Sequence, residues 1–347
     1  MLPPDSRLQG KRLPGDQSGR KVAMDISCAF PPVPQTPDHI ALAEQLGYRR
    51  AWVYDTPALQ VDVWVTLARA AERTSRIELG PGVLIPSLRH VVTTAAAIAT
   101  LVDLAPGRVN VGIGSGFTGR LALGQPPNRW DFVAEYLRQL KALLAGEVVE
   151  VDGALTKMLH GPGQAPPRPI QVPFIVAAQG PKGEAVAREL GDGLFSAAPR
   201  GGFDWEVLLS FGTVLDPGET TDSPRVRAAV GPNAAVVLHL AYYWHVPGLD
   251  LDALPGGPQW KAAVEAIPAR ERHLRIHEGH LTYINEIDDQ LLSRELIEAV
   301  TLTGEAPALR ARLDQIASLG VTELAYQPAG PDIPRELTMF AKMAGLS

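Results

Sequence analysis

Three clusters in this 347-residue chain have residue types and spacing suited to chemistry. The first is VPFIVAAQGPKGEAVARELGDG, Val172 to Gly193. Val172 to Ala178 is an apolar, branched run that suits a strand buried on both faces. Gly180 then permits a close approach or a positive φ, Pro181 suits a first helical position, and Gly191 suits a helix end. A strand entering a helix this way leaves the N–H groups from Gln179 to Gly183 free at a helix N-terminus, where backbone donors and dipole favour an anion. Lys182 adds a point charge there.

The second cluster is glycine. Gly80, Pro81 and Gly82 interrupt an apolar run, which a strand tolerates at a bulge or where something approaches the backbone. Gly112, Gly114, Ser115 and Gly116 follow another run. A GxGxG alone is weak, and a dinucleotide-binding turn needs an acid about 20 residues on; Asp131 and Glu135 are not convincingly placed for it.

The third cluster is histidine. His273, His277 and His280, in ERHLRIHEGH, fall at i, i+4 and i+7, a spacing that would put ligands on one helix face. Gly279 weakens that helix, and no Cys or paired carboxylate completes a metal shell, so no metal is expected. Contact with a substrate pocket or a structural hydrogen bond is the competing reading. His239 and His245 flank a further apolar run, Ala235 to Tyr242.

The elements that must carry these residues alternate short apolar runs with helical patterns, which argues for parallel strands joined by crossover helices. Strands are expected at 22–29, 50–54, 77–85, 108–113, 172–178, 193–197, 235–242 and 322–326. Eight such repeats make a (β/α)8 TIM barrel the economical fold, with its site at the strand C-termini. Residues 1–20 lack an apolar signal core and read as a mobile tail; 21–347 read as one barrel domain. Two stretches exceed the repeat, as insertions after strands six and seven. Residues 201–232 are rich in Gly, Pro and Asp and read as mostly loop with a helix near Trp205. Residues 247–294 read as two or three helices forming a lid.

Composition narrows the function. A formal charge of −6 without a long basic run argues against nucleic acid. No run approaches the ~18 apolar residues of a membrane span. One cysteine, Cys28, excludes an internal disulfide framework and fits a reducing, cytoplasmic setting. No nucleophile–base pair for a hydrolase is evident.

The AAxGPKxxxxAxxxGDG pattern resembles the phosphate-binding turn after the fifth strand of the bacterial luciferase-like flavin-dependent oxidoreductases. Its Gly-Pro-Lys form is similar to the branch using the deazaflavin coenzyme F420, such as methylenetetrahydromethanopterin reductase. LGPGVLIPSLRH (Leu79 to His90) and APGRVNVGIGSG (Ala105 to Gly116) resemble the third- and fourth-strand segments of that branch. The resemblance implies a cofactor phosphate at Gly180, Pro181 and Lys182 and a cis peptide at Gly82–Val83, with Val83 behind the middle ring. It further implies contacts from Asp55, Gly114, Ser115, Ala177 and Ala178, a small organic substrate, and a homodimer. In the sugar-phosphate dehydrogenases of the branch, a His follows the acid of strand two and an acid follows the strand-four glycines. Thr56 and Phe117 stand there instead. Proton delivery would then fall to the lid, with His277, His280 and Tyr283 as candidates. An FMN-dependent monooxygenase and a non-catalytic flavin-binding barrel remain as alternatives.

Overall fold

The computed structural model describes residues 24–244 and 249–346. The tail expected at 1–20, and His245, lie outside the described residues. Eight parallel strands form one sheet: Asp25–Phe30, Arg50–Val53, Glu78–Pro81, Val111–Gly114, Phe174–Ala177, Gly193–Ser196, Glu206–Phe211 and Glu323–Gln327. Apart from the third and fourth, each pairs with its neighbour in chain order, and the last pairs with the first. The circle closes between the third and fourth strands through bridges at Leu79/Val109 and Leu84/Ile113. At that seam a Cβ on Gly80 would stand 1.8 Å from the Asn110 carbonyl oxygen, so only glycine lets the two strands meet.

Alternation along each strand sorts side chains between two cores. Ala29, Trp52, Ile175, Phe195, Val207 and Ala325 fill the interior. Cys28, Val53, Ile113, Val176 and Leu324 face the surrounding helices. The N-terminal end of the barrel is plugged by Glu323, fully buried, which accepts from Trp52 Nε1 (2.9 Å), Trp205 Nε1 (2.8 Å) and Arg50 Nη1 (2.8 Å). A buried carboxylate needs such partners, and these three tie the second, seventh and eighth strands together at that end.

The seventh strand departs from the sequence reading. Ala235 to Tyr242 is not a strand but the second half of a 20-residue helix, Pro224–Tyr243. That helix is buried on nearly every side, so its sequence is apolar without a 3.6 period, and a β-branched run such as AAVVLHL then resembles a strand. Pro232 inside it leaves the Ala228 carbonyl without its helical donor. The Gly330 backbone packs there, and a Cβ on it would lie 2.7 Å from that oxygen.

The true seventh strand, Glu206–Phe211, falls in the stretch read as loop plus helix. Its outward Glu206 is fully buried because the Arg200 and Gly201 N–H groups cap its carboxylate at 2.6 and 2.8 Å. The excess chain is therefore a single insertion after strand seven, residues 212–305. It holds the Pro224–Tyr243, Gly257–Glu265, Arg272–Ile276, Glu286–Leu291 and Arg294–Val300 helices around a core of its own centred on Trp260, Leu238 and Leu296. No helix among the described residues is long and apolar enough to cross a membrane.

Candidate active site

The barrel's C-terminal mouth has an apolar floor. The Gly82–Val83 peptide is cis, at the position the sequence indicated. The Val83 side chain lies against the fourth strand: a Cβ on Gly112 would sit 2.9 Å from Val83 Cγ1, and one on Gly114 3.0 Å from Cγ2 and 3.2 Å from Ala177 Cβ. These glycines make room for Val83 against the fourth strand. Val83 and Ala177 pack on the interior cluster that includes Tyr54, Trp52 and Phe195.

Above this floor the insertion closes in. Leu281, at φ 63°, packs onto the same interior cluster. Gln327, fully buried at the end of the last strand, accepts from Tyr54 Oη at 2.5 Å and donates to Asn233 Oδ1 at 3.3 Å and the Leu281 carbonyl at 3.4 Å. One strand-end amide thus ties both the long helix and the 277–283 segment to the barrel.

The anion-binding turn has the expected strand-to-helix form. The helix runs Pro181–Leu190, and its first N–H with a helical acceptor is that of Glu184, donating to Gly180 O at 3.0 Å. The Lys182 and Gly183 N–H groups precede it and face outward from the helix start. Gly180 is extended (φ −164°), and a Cβ there would meet nothing within 4 Å. So the fold does not need glycine at 180; the space beside it is open. The glycine that packing requires is Gly183, where a Cβ would stand 2.3 Å from Trp130 Cζ2 and 2.6 Å from Ala178 Cβ. Ala178 is buried and its N–H is used in the sheet, donating to Phe195 O at 3.1 Å.

Lys182 is exposed. A second cation reaches the turn: Arg200 Nη2 donates to Gln179 O at 2.7 Å, and its Nε lies 3.7 Å from the Glu184 carboxylate in the first turn of the helix. On the far side, Ser115 O accepts from Asn128 N at 2.7 Å, and the Asn128 Nδ2 is a buried donor with no hydrogen-bond partner.

Asp55 is 2% exposed and occupied. Arg89 Nη1 reaches both its oxygens at 2.7 Å, the Ile85 N–H donates at 3.1 Å, and Arg89 Nη2 continues to Asp62 at 2.8 Å. Burial pushes the Asp55 carboxyl up, against the pull of Arg89. The contacts make Asp55 the clamp that fixes the 85–89 segment behind Val83. Thr56 hydrogen-bonds Gln60, and Phe117 packs on Trp244 with ring centroids 4.1 Å apart.

The histidines regroup. The short helix Arg272–Ile276 ends before His277, and Gly279 has φ 69°, so the three do not share a helix face. His273 lies apart, against Gly124. His277 and His280 instead meet His239 of the long helix, one ring nitrogen of each within 4.8 Å of the others. Burial, aided by the neighbouring imidazoles, holds His277 down to about 3 and His280 well below the usual range. Burial thus disfavours the charged form of both imidazoles, while Tyr283 is 58% exposed.

A family model described as luciferase-like monooxygenase matches residues 12–323. The chain belongs to the luciferase-like monooxygenase family. A 5,10-methylenetetrahydromethanopterin reductase of Methanolobus tindarius is 26% identical over 328 residues, covering 90% of this chain and 95% of the relative. Among solved structures, the coenzyme F420-dependent tetrahydromethanopterin reductase of Methanopyrus kandleri aligns with a TM-score of 0.67 at 20% identity, over 92% of this chain and 98% of that one. The oxygenating constituent of 3,6-diketocamphane monooxygenase from Pseudomonas putida, solved with FMN, aligns at 0.59 and 13% identity, over 93% and 98%. These likenesses share the barrel, and this luciferase-like chain is an oxidoreductase by membership.

In this luciferase-like barrel, two clefts of about 280 and 440 Å³ open elsewhere, lined by residues such as Arg50, Glu78, Asn110 and Trp205 and by Glu44, Tyr48 and Arg76. Both sit at the N-terminal ends of the strands. The strand-end chemistry is at the opposite end, and we assign them no part in it. Sequence reasoning named Gly183 for its N–H alone and did not reach Arg200, Asn233 or Gln327. Arg200 lies just beyond the phosphate-turn segment; Asn233 and Gln327 meet only through the fold.

Proposed function

We propose that this luciferase-like protein is an F420-dependent oxidoreductase that transfers hydride between the deazaflavin and a small organic electrophile. The observation carrying the proposal is the Gly180–Pro181–Lys182 turn, with open space at Gly180, free N–H groups at Lys182 and Gly183, exposed Lys182, and Arg200 hydrogen-bonded to the Gln179 carbonyl and paired with Glu184. The residues present fit such a cofactor. Lys182, Gly183 and Arg200 would hold the phosphate, and the buried, unpartnered Asn128 Nδ2 is a donor awaiting an acceptor near Ser115. Val83, Gly114 and Ala177 supply an apolar floor for a flat ring. When bound, the deazaflavin supplies a two-electron hydride carrier.

The protein's share is position and exclusion of water. Asp55 and Arg89 hold the Val83 segment rigid, and Leu281 with Asn233 roofs the mouth. The relatives described as F420-dependent or as methylenetetrahydromethanopterin reductase support this reading, and Gly-Pro-Lys favours it over FMN, because the FMN branch typically shows a Ser-containing, Gly-rich turn at this place. Titration of the purified protein with F420 and with FMN tests it: F420 is expected to bind at least tenfold tighter, and tighter FMN binding would overturn it.

A further inference from the structure

His239, His277 and His280 converge from two separate parts of the insertion into one cluster, apart from the residues assigned to the cofactor. All three are nearly fully buried, at 1%, 1% and 4% exposed. Neither nitrogen of His277 has a hydrogen-bond partner. A buried imidazole with both nitrogens unpaired is costly, and it is aimed at two others.

Hydrogen bonding fixes which nitrogens face inward. The Asp288 carboxylate lies 3.0 and 3.2 Å from His239 Nε2, and it is itself held by Trp260 Nε1 at 2.7 Å and Asn285 Nδ2 at 2.8 Å. A carboxylate accepts, so His239 carries its proton on Nε2 and offers a lone pair from Nδ1. His280 Nδ1 stands 3.3 Å from that atom and donates its proton to it while no ion is bound; on binding an ion through Nδ1, His280 carries its proton on Nε2 instead, 3.3 Å from Thr118 Oγ1, an acceptor. Two ligands of a tetrahedral ion bound at about 2.0–2.1 Å are separated by about 3.3 Å. The pair already has that spacing, and His277 completes a triangle within 4.8 Å.

We propose that His239, His277 and His280 bind one divalent transition-metal ion through imidazole nitrogens, with the Asp288 carboxylate orienting His239 from behind. Three imidazoles suit Zn²⁺ and its first-row neighbours; Mg²⁺ and Ca²⁺, which require oxygen ligands, do not fit. A ligating His whose other nitrogen donates to a carboxylate is a recurrent arrangement around zinc. Water takes the fourth position. The ion fastens the long helix to the segment carrying Leu281, and so fixes the roof over the barrel mouth.

Zn²⁺ alone, added to full-length protein first dialysed against chelator, tests this by calorimetry and by metal analysis after gel filtration. One equivalent is expected to bind and to raise the unfolding temperature. Co²⁺ in its place is expected to give the visible absorption of a tetrahedral nitrogen site. His277→Ala should abolish binding without loss of fold, because the His277 side chain makes no hydrogen bond in the absence of the ion. Asp288→Asn should retain one equivalent but weaken it about 10–100-fold, whereas His273→Ala should bind as wild type. Absence of stoichiometric binding by the wild type, or an ion retained at wild-type affinity by folded His277→Ala, overturns the proposal.

Discussion

Replacing Gly180 by valine separates a demand of the fold from a demand of the ligand. The backbone at 180 is extended and a Cβ meets nothing within 4 Å, so the substitution should change stability by less than about 0.5 kcal/mol. The added methyls would fill the space in front of the Lys182 and Gly183 N–H groups. If a phosphate seats there, it loses two hydrogen bonds to a charged acceptor, each worth about 1.5–3 kcal/mol, a total of about 3–6 kcal/mol. That corresponds to roughly 10²–10⁴-fold weaker cofactor binding. Lys182→Ala removes an exposed point charge worth about 0.5–1 kcal/mol, or about 2–5-fold. Both variants are to be titrated with F420 by fluorescence and checked by thermal unfolding. A folded Gly180→Val protein weakened no more than Lys182→Ala would refute the assignment of this turn to the phosphate.

Two further outcomes follow from the ion pairs. Asp55→Ala should cost about 3–5 kcal/mol in urea unfolding, because it strands Arg89, whose side chain is 12% exposed, with Asp62 alone; a cost under 1 kcal/mol would contradict the clamp. Glu219 is held down to about 2, chiefly by its hydrogen bonds from Arg225. Its folded value lies below the unfolded one, so its contribution is present above about pH 4.5 and is lost as pH falls through about 2. The stability gap between wild type and Glu219→Gln should therefore narrow over that window in acid unfolding, and a gap independent of pH would contradict it.

Most of the barrel was legible because its strands carry the local signs of burial. Runs such as FIVA and VGIG are bounded by Gly or Pro and followed by amphipathic helices, and they appear where periodicity put them. The seventh strand was not, for two physical reasons. Glu206 and Ser210 break the apolar run of EVLLSF, and Glu206 is compatible with burial only through N–H groups donated by the loop before it. Meanwhile the all-round burial of the Pro224–Tyr243 helix removed its period.

The same contrast holds at the site. The phosphate turn is a contiguous motif and could be read directly, whereas Gln327, Asn233 and Leu281 are brought together from three distant parts of the chain. The histidine cluster shows the limit most plainly. Spacing singled out His273, which lies apart, while His239 joins only because the stretch holding it is a helix.

The central claim is hydride transfer through a deazaflavin, and anaerobic turnover tests it most directly. The protein, loaded with reduced F420 under nitrogen, is to be mixed with a panel of small carbonyl and imine compounds while the deazaflavin spectrum is followed. At least one electrophile is predicted to restore the oxidised deazaflavin band in a single exponential phase without oxygen, and Gly180→Val should suppress that phase at limiting cofactor. Oxidation of substrate only with FMN and oxygen, with no anaerobic reoxidation of F420 by any electrophile, would contradict the account.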